Sequence, residues 1–424
     1  MEYISINGKR KLSGSVQING AKNAAVAIIP AAIAAGGKCV IENLPHVEDV
    51  TTLTHAIEHL GGSCRFPDEH TLEIDSGGIN QYTVPYDLAK KMRASYYMLG
   101  ALLGRFKKAE VPLPGGCSLG VRPINYHLRG FEQLGAKIHT EHGIVKAAAD
   151  KLTGANIYLE FPSVGATINI MIAAVFAEGV TQIENAAKEP HVVDTANFLN
   201  KLGANIKGAG TDNIRITGTD GLNGGDYSII PDQIEAGTYM IAAAITGGDV
   251  TVERIIPKHM DSLTAKLEEM QCETEIRDDS IRIKAEKPLH AVNFKAMVYP
   301  GFPTDLQPQA AALLSVSSGS GIITETVHEQ RFQYVEELRR LGANINVEGR
   351  AAFVNGGAEL TGAQVNATDL RAGAALVVAG LAAKGETVIG NVMHLDRGYE
   401  HLESKLAALG ADVKRISHPD EYDA

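Results

Sequence analysis

The chain has 424 residues, 45% of them hydrophobic and 21% charged, with a formal net charge of −11. That length accommodates two or three domains, and the acidic balance argues against non-specific binding to nucleic acid or an anionic membrane. No apolar run reaches membrane-spanning length without Gly, charge or polar interruption, so a soluble protein is expected.

The start, MEYISINGKRKL, lacks a positively charged region leading into an apolar stretch, so no secretory signal is visible and a cytoplasmic location is expected. Cys39, Cys64, Cys117 and Cys272 show neither close pairing nor metal-ligand spacing, which suits a reducing compartment. No metal or cofactor is expected. There is no Walker loop and no GxGxxG, so phosphate binding through a standard nucleotide loop is not supported.

From residue 22 onward one unit recurs six times. Each copy opens on an apolar, small-residue helix: NAAVAIIPAAIAAG (23–36), RASYYMLGALLGRF (93–106), GATINIMIAAVFAEG (165–179), EAGTYMIAAAITGG (235–248), DLQPQAAALLSVSSGSG (305–321) and LRAGAALVVAGLAAKG (370–385). Segments apolar nearly all round read as helices buried within a layer of other elements. A short strand follows, such as KCVIEN, VTQIEN, DVTVER or ETVIGN. An amphipathic helix then ends on a register mark, Leu-Gly or its variant, at Leu60, Leu134, Leu202, Met270, Leu341 and Leu409. The period is roughly 70 residues, and such a unit buries its apolar face against its neighbours. A hairpin closes each copy, for example NIKGAGTDNIRITG or ETEIRDDSIRIKA. The sequence therefore predicts an α/β protein of repeated helix–strand–helix–strand–strand units.

The sixth copy ends in ADVKRISHPDEYDA, with no room for a second hairpin strand, whereas the first 21 residues hold orphan strands and no helix. We therefore expect one domain from 22–229 and a second from 1–21 plus 230–424. A double crossing at one point implies a hinge, and a cleft between domains is a favoured ligand site.

Basic residues recur where the buried helices begin, as Lys22 (beside Asn23), Arg93 and Arg371, and in the loop before the second helix, as Arg122, Arg331 and Arg397. A helix N-terminus attracts anions and opposes cations. One such cation reads as a solvated charge, but six point to a phosphate- or carboxylate-binding funnel. Asp305 opens the fifth buried helix, as a cap or as a general base. The loop PLPGGCSLGVRP (112–123) departs most from the repeat. It places the Cys117 thiol near Arg122, where a cation favours the thiolate, so Cys117 can act as acid or nucleophile. Cys39, Cys64 and Cys272 read as small hydrophobes. His55-Ala-Ile-Glu-His59 matches an H-x-x-E-H zinc pattern but lies on an ordinary solvent-facing helix.

These residues resemble the bacterial UDP-N-acetylglucosamine 1-carboxyvinyltransferases, the enolpyruvyl transferases that open peptidoglycan synthesis. The likeness spans nearly the whole chain and is most specific in INGAKNAA (18–25), KKMRASYYMLGALL (90–103), LPGGCSLGVRP (113–123), SVGATINIM (163–171), ENAAKEPHVVDTANFL (184–199), FPTDLQPQ (302–309), ATDLRAGAALV (367–377) and HLDRGYE (394–400). It implies a two-domain inside-out α/β barrel with three repeated units per domain. It also implies transfer of the enolpyruvyl group of phosphoenolpyruvate to the 3-hydroxyl of UDP-N-acetylglucosamine through a tetrahedral ketal, by a monomer without cofactor.

By the same resemblance Cys117 is the general acid, with phosphate departure or a covalent pyruvyl adduct as further roles, and Asp305 deprotonates the sugar hydroxyl. Lys22, Arg122 and Arg397 hold phosphate and carboxylate, Arg93, Arg331 and Arg371 line the same cleft, and Asn23 bonds the bound substrates. Arg122, Pro123, Ile124, Asn125 and Tyr126, with Ser163, Val164, Gly165 and Val327, match segments holding the uridine nucleotide, and Asp369 joins the substrate-binding set. Asn125, Tyr126, Phe161 and His328 depart from the pattern of the best-known members. The shikimate-pathway enolpyruvyl transferases share the fold, but LPGGCSLGVRP argues against that activity. A non-catalytic binder would need neither the acid Cys117 nor the base Asp305, and an open solenoid would not need an N-terminal strand to close its last unit.

Overall fold

The computed structural model describes residues 2–113, 124–285 and 289–417. Six helices form the apolar interior: Lys22–Ala31, Tyr97–Phe106, Val164–Ala174, Gln233–Thr246, Gln307–Val316 and Leu370–Ala382. They are buried nearly all round, as their composition requires. Sheets lie outside them, giving the inside-out arrangement of two domains with three repeats each. One compact unit spans residues 20–230 and the other 2–19 with 231–417. In the first, Tyr97–Phe106 packs on both Lys22–Ala31 and Val164–Ala174; in the second, all three helices pack pairwise.

The helices are shorter than their apolar runs. Arg93–Tyr96 is a 3-10 turn, as is Thr304–Leu306. The run 305–321 overshoots: the helix stops at Val316, Ser317 is extended, and Ser320–Glu325 is already a strand. Likewise 165–179 is helical only to Ala174, with Gly179 at φ 92° leading into Val180–Glu184. Gly179 and Gly319, both at positive φ, belong to the turns rather than to the helix ends.

The register mark is a helix C-cap. Gly61, Gly135, Gly203, Gly342 and Gly410 have φ between 94° and 109°. At each, the N–H of the glycine and that of the next residue bond carbonyls of the last turn, as for Gly61 to Glu58 and Gly62 to Ile57, both 3.0 Å. This is the Schellman closure, and glycine suits it because a Cβ is strained at positive φ. In the fourth unit Gln271 fills the position at φ 74° and keeps both bonds.

Among the described residues, five of the six sheets have four strands, one more than the predicted unit supplies. The added strand is short and parallel to the main strand: Gly225–Ser228 beside Lys38–Glu42, Ser13–Gln17 beside Asp249–Glu253, Gln364–Asn366 beside Glu386–Gly390. Pairing with Gly225–Ser228 ties the end of the first compact unit to its beginning. In the last sheet Tyr3–Asn7 lies antiparallel between Glu386–Gly390 and Asp412–Ile416, standing where the sixth hairpin lacks a strand. Among the described residues no helix is long and apolar enough to cross a membrane.

Candidate functional site

In the second compact unit, the extended Pro303 and the 3-10 turn after it place Asp305 just ahead of the helix Gln307–Val316. Its Oδ1 lies 2.8 Å from an Arg331 guanidinium nitrogen, and its Oδ2 lies 3.1 Å from Arg371. The arginine side chains are 3% and 4% exposed, and that of Asp305 is 26% exposed. Burial alone would raise the Asp305 pKa, but Arg371 and Arg331 outweigh it and hold the carboxyl well below the usual carboxylate range. Arg371 is pushed upward in turn, because Asp305 outweighs its burial. A carboxylate so clamped is ionised throughout the neutral range.

The clamp has its own supports. Arg331 donates to the Thr304 hydroxyl (3.1 Å), which donates to Glu325 (2.7 Å). Glu325 also accepts from the N–H groups of Val327 (2.7 Å) and His328 (3.0 Å), fixing that loop. Asp369 caps the helix Leu370–Ala382 by accepting from the backbone N–H groups of Arg371 (2.8 Å) and Ala372 (3.0 Å). The Arg371 guanidinium stacks 5.5 Å from the Tyr399 ring, whose hydroxyl meets Thr238 at 2.9 Å. The structure thus brings Asp305, Arg331, Arg371, Asp369 and Val327 into one neighbourhood. Arg397 is partly buried near His394, whose pKa is lowered first by burial and then by Arg397. Arg331 and Arg371 are therefore counterions of Asp305, where the sequence reading placed them only as cations lining a funnel.

In the first unit, Lys22 is the first residue of its helix and meets the buried Asp49 at 2.9 Å, the side chains being 13% and 3% exposed. Asn23 follows it, half-buried. Arg93 lies over the Tyr96 ring at 5.6 Å, and Tyr96 packs edge-on against His127 at 4.7 Å. Ser163 caps Val164–Ala174, its hydroxyl accepting from the Ala166 N–H. A Cβ on Gly165 would stand 2.7 Å from the Tyr96 hydroxyl, so a larger residue here would push that side chain aside. Ile124 is buried, Asn125 exposed and Tyr126 half-buried, all at the start of the helix Asn125–Gln133. Cys117, Arg122 and Pro123 lie outside the described residues.

Sequence reading missed His127 and Asn169. His127 is buried, and burial, with Arg93 second, pushes its pKa down to about 3, so the ring is neutral. Asn169 interrupts a helix otherwise almost wholly apolar, and a buried amide must find partners. That interruption was the available signal. The remaining thiols have no such setting: burial pushes Cys39 up to about 11, Cys64 to about 12 and Cys272 to about 11. His55, Glu58 and His59 are exposed on the helix Glu48–His59.

The chain is similar to known proteins over nearly its whole length. A family model described as EPSP synthase (3-phosphoshikimate 1-carboxyvinyltransferase) matches residues 6–406. UDP-N-acetylglucosamine 1-carboxyvinyltransferase 3 of Caldanaerobacter subterraneus subsp. tengcongensis is 56% identical over 416 residues, covering 98% of this chain and 100% of the relative. UDP-N-acetylglucosamine 1-carboxyvinyltransferase of Clostridium botulinum is 54% identical over 417 residues, with coverage of 98% and 100%. Among solved structures, the enolpyruvyl transferase NikO from Streptomyces tendae superposes with a TM-score of 0.89 at 28% identity, over 99% of both chains. EPSP synthase from Acinetobacter baumannii gives 0.77 at 19% identity, over 98% of this chain and 100% of that one, a likeness of fold alone. The chain belongs to the enolpyruvyl transferase family, in the group whose curated relatives are UDP-N-acetylglucosamine 1-carboxyvinyltransferases.

Proposed function

We propose that this protein transfers the enolpyruvyl group of phosphoenolpyruvate to the 3-hydroxyl of UDP-N-acetylglucosamine and releases phosphate, a cytoplasmic step of peptidoglycan synthesis serving cell shape and division. The observation that carries the reading is Asp305, a carboxylate kept ionised by two buried arginines within a chain of this family. Such a group is a weak ground-state base. It accepts a hydrogen bond from a hydroxyl and takes the proton only once the hydroxyl oxygen has begun to bond to carbon and its acidity rises.

In the addition step, Cys117 supplies a proton to the methylene carbon of phosphoenolpyruvate. The adjacent carbon becomes oxocarbenium-like, the sugar oxygen attacks it, and Asp305 takes the hydroxyl proton, leaving a tetrahedral ketal. In the elimination step the Cys117 thiolate takes a proton back from the methyl group as the carbon–oxygen bond to phosphate breaks. The departing phosphate carries off the proton held by Asp305, giving the enolpyruvyl ether and phosphate and restoring both groups. Lys22, Arg93, Arg122 and Arg397 balance the phosphate and carboxylate charges, and Asn23 bonds the substrate pair. Asp49 fixes Lys22 by its 2.9 Å ion pair. Arg331 and Arg371 orient Asp305, and Asp369 orients Arg371 through its backbone. Ser163, Val164 and Gly165 present the helix start to the diphosphate, while Pro123, Ile124, Asn125, Tyr126 and Val327 take the rest of the nucleotide.

The test is direct. Phosphate release from phosphoenolpyruvate should require UDP-N-acetylglucosamine and should not occur with shikimate 3-phosphate in its place. Release with shikimate 3-phosphate, or none with the sugar nucleotide, overturns the reading. An epoxide antibiotic of the fosfomycin type should alkylate Cys117 in the presence of the sugar nucleotide; an unmodified intact mass would refute that role for the thiol.

A further inference from the structure

Asn169 lies mid-helix with a fully buried side chain, and its orientation is fixed by backbone groups that have only one role each. Its Oδ1 accepts from the Gly100 N–H at 2.8 Å. Its Nδ2 donates to the Tyr96 carbonyl at 2.8 Å. An N–H only donates and a carbonyl only accepts, so oxygen and nitrogen cannot be exchanged. The second Nδ2 hydrogen meets His127 Nδ1 at 3.0 Å. Nδ1 must therefore accept, and the single proton of the neutral ring sits on Nε2.

That Nε2–H edge faces the start of the helix Val164–Ala174. A Cβ built on Gly165 would lie 3.0 Å from His127 Cε1 and 3.1 Å from Nε2. His127 is 4% exposed, and among the described residues Nε2 has no hydrogen-bond partner. The helix start itself adds the backbone N–H groups of Val164 and Gly165, which likewise bond no described residue. A donor on so deeply buried a ring is best completed by an acceptor brought by a ligand. Donors gathered at the start of one helix, next to a neutral ring N–H, suit anionic oxygens.

We propose that His127, held by Asn169 as the neutral Nε2–H tautomer, donates to a diphosphate oxygen of the nucleotide sugar at the start of the helix Val164–Ala174. The inference rests on the proposed function for the identity of the ligand. It makes Asn169 a positioning residue, acting only through the tautomer it selects.

Two measurements test it on the full chain. With 15N-labelled histidine, long-range 1H–15N correlation of the unliganded wild type should show the His127 ring protonated at Nε2, the signal being assigned by its loss in His127→Gln. A ring protonated at Nδ1 overturns the proposal. In calorimetric titrations, His127→Phe should weaken UDP binding by about 10- to 100-fold, the usual worth of a hydrogen bond to a charged group, and uridine binding by less than about threefold. Steady-state kinetics should show the same pattern, with KM for the sugar nucleotide raised and KM for phosphoenolpyruvate unchanged. His127→Gln, which returns an N–H near the same place, should recover most of the UDP affinity. UDP affinity unchanged in His127→Phe, or lost equally for UDP and uridine, refutes the role. Wild type that binds no UDP and releases no phosphate refutes instead the function on which the inference stands. Should His127→Phe fail to fold, the tautomer measurement and His127→Gln still decide.

Discussion

Replacing Asp305 by Asn should damage stability and turnover together, and the two effects can be separated. Asp305 neutralises two guanidinium groups that are 3% and 4% exposed, at 2.8 and 3.1 Å. At an effective dielectric of about 20, each pair has a gross attraction of about 5–6 kcal/mol, most of it offset by the desolvation of the charges. Taking away the shared anion leaves both cations buried and facing a neutral amide. Removing one member of a buried pair typically costs about 3–5 kcal/mol. For a unit of about 200 residues, at roughly 2–4 °C per kcal/mol, the midpoint of its thermal transition should fall by about 6–20 °C.

Calorimetry on Asp305→Asn, Arg371→Met and the double variant checks the mechanism. With Asp305 gone, Arg371 is only an unpaired cation, so removing it as well should restore part of the lost stability. Acid titration is a second measurement of the same ion pairs. The native pKa of Asp305 is depressed, so its stabilisation is complete above the unfolded value of about 3.9 and fades as pH falls through the native value. The variant should therefore lose less stability between pH 4 and pH 2 than the wild type. Phosphate release, measured well below the lowered transition, should still be abolished, because an amide cannot take the hydroxyl proton. An unchanged midpoint, or a double variant less stable than Asp305→Asn, would refute the counterion reasoning; full turnover in the folded variant would refute the base.

Gln271→Gly should stabilise the protein by about 0.5–1 kcal/mol in urea unfolding, because glycine relieves the left-handed backbone at φ 74° and gives back part of the gain as chain entropy. Asp194 accepts from the Tyr227 hydroxyl (2.6 Å) and the Ile230 N–H (3.3 Å), and burial pushes its pKa up to about 6. The unfolded chain then loses this proton first, so stability should fall between pH 4 and pH 6, by about 2–3 kcal/mol, and Asp194→Asn should flatten that slope in pH-dependent melts. With Cys39, Cys64 and Cys272 pushed up to about 11 or 12, a thiol reagent at pH 7.5 should find one fast equivalent, and Cys117→Ser should remove it.

What could be read from the residues follows the range over which each constraint acts. The Leu-Gly mark was legible because positive φ is a demand on one residue, and five of its six occurrences meet that demand with glycine. The buried helices were legible because all-round apolarity needs no knowledge of the neighbour. The parallel strands were not: Asn156–Tyr158 and Gln364–Asn366 are three residues long, too short for alternation to register, and their partners are 26 and 24 residues away in register. The same limit governs the site. That Arg331 and Arg371 mattered was visible from their place at or near helix starts; that they clamp Asp305, 26 and 66 residues distant, required the fold. Asn169 lies between these cases. A side chain with two donors and two acceptor sites, set into a helix that buries Ala166 through Ala174, must be satisfied by groups outside its own turn. Those groups are Gly100, Tyr96 and His127, so the polar interruption of one buried helix already implied a contact with the preceding unit. In a repeat whose interior is otherwise uniform, such an exception points to where neighbouring copies are locked together and where an unspent donor can be left for a ligand.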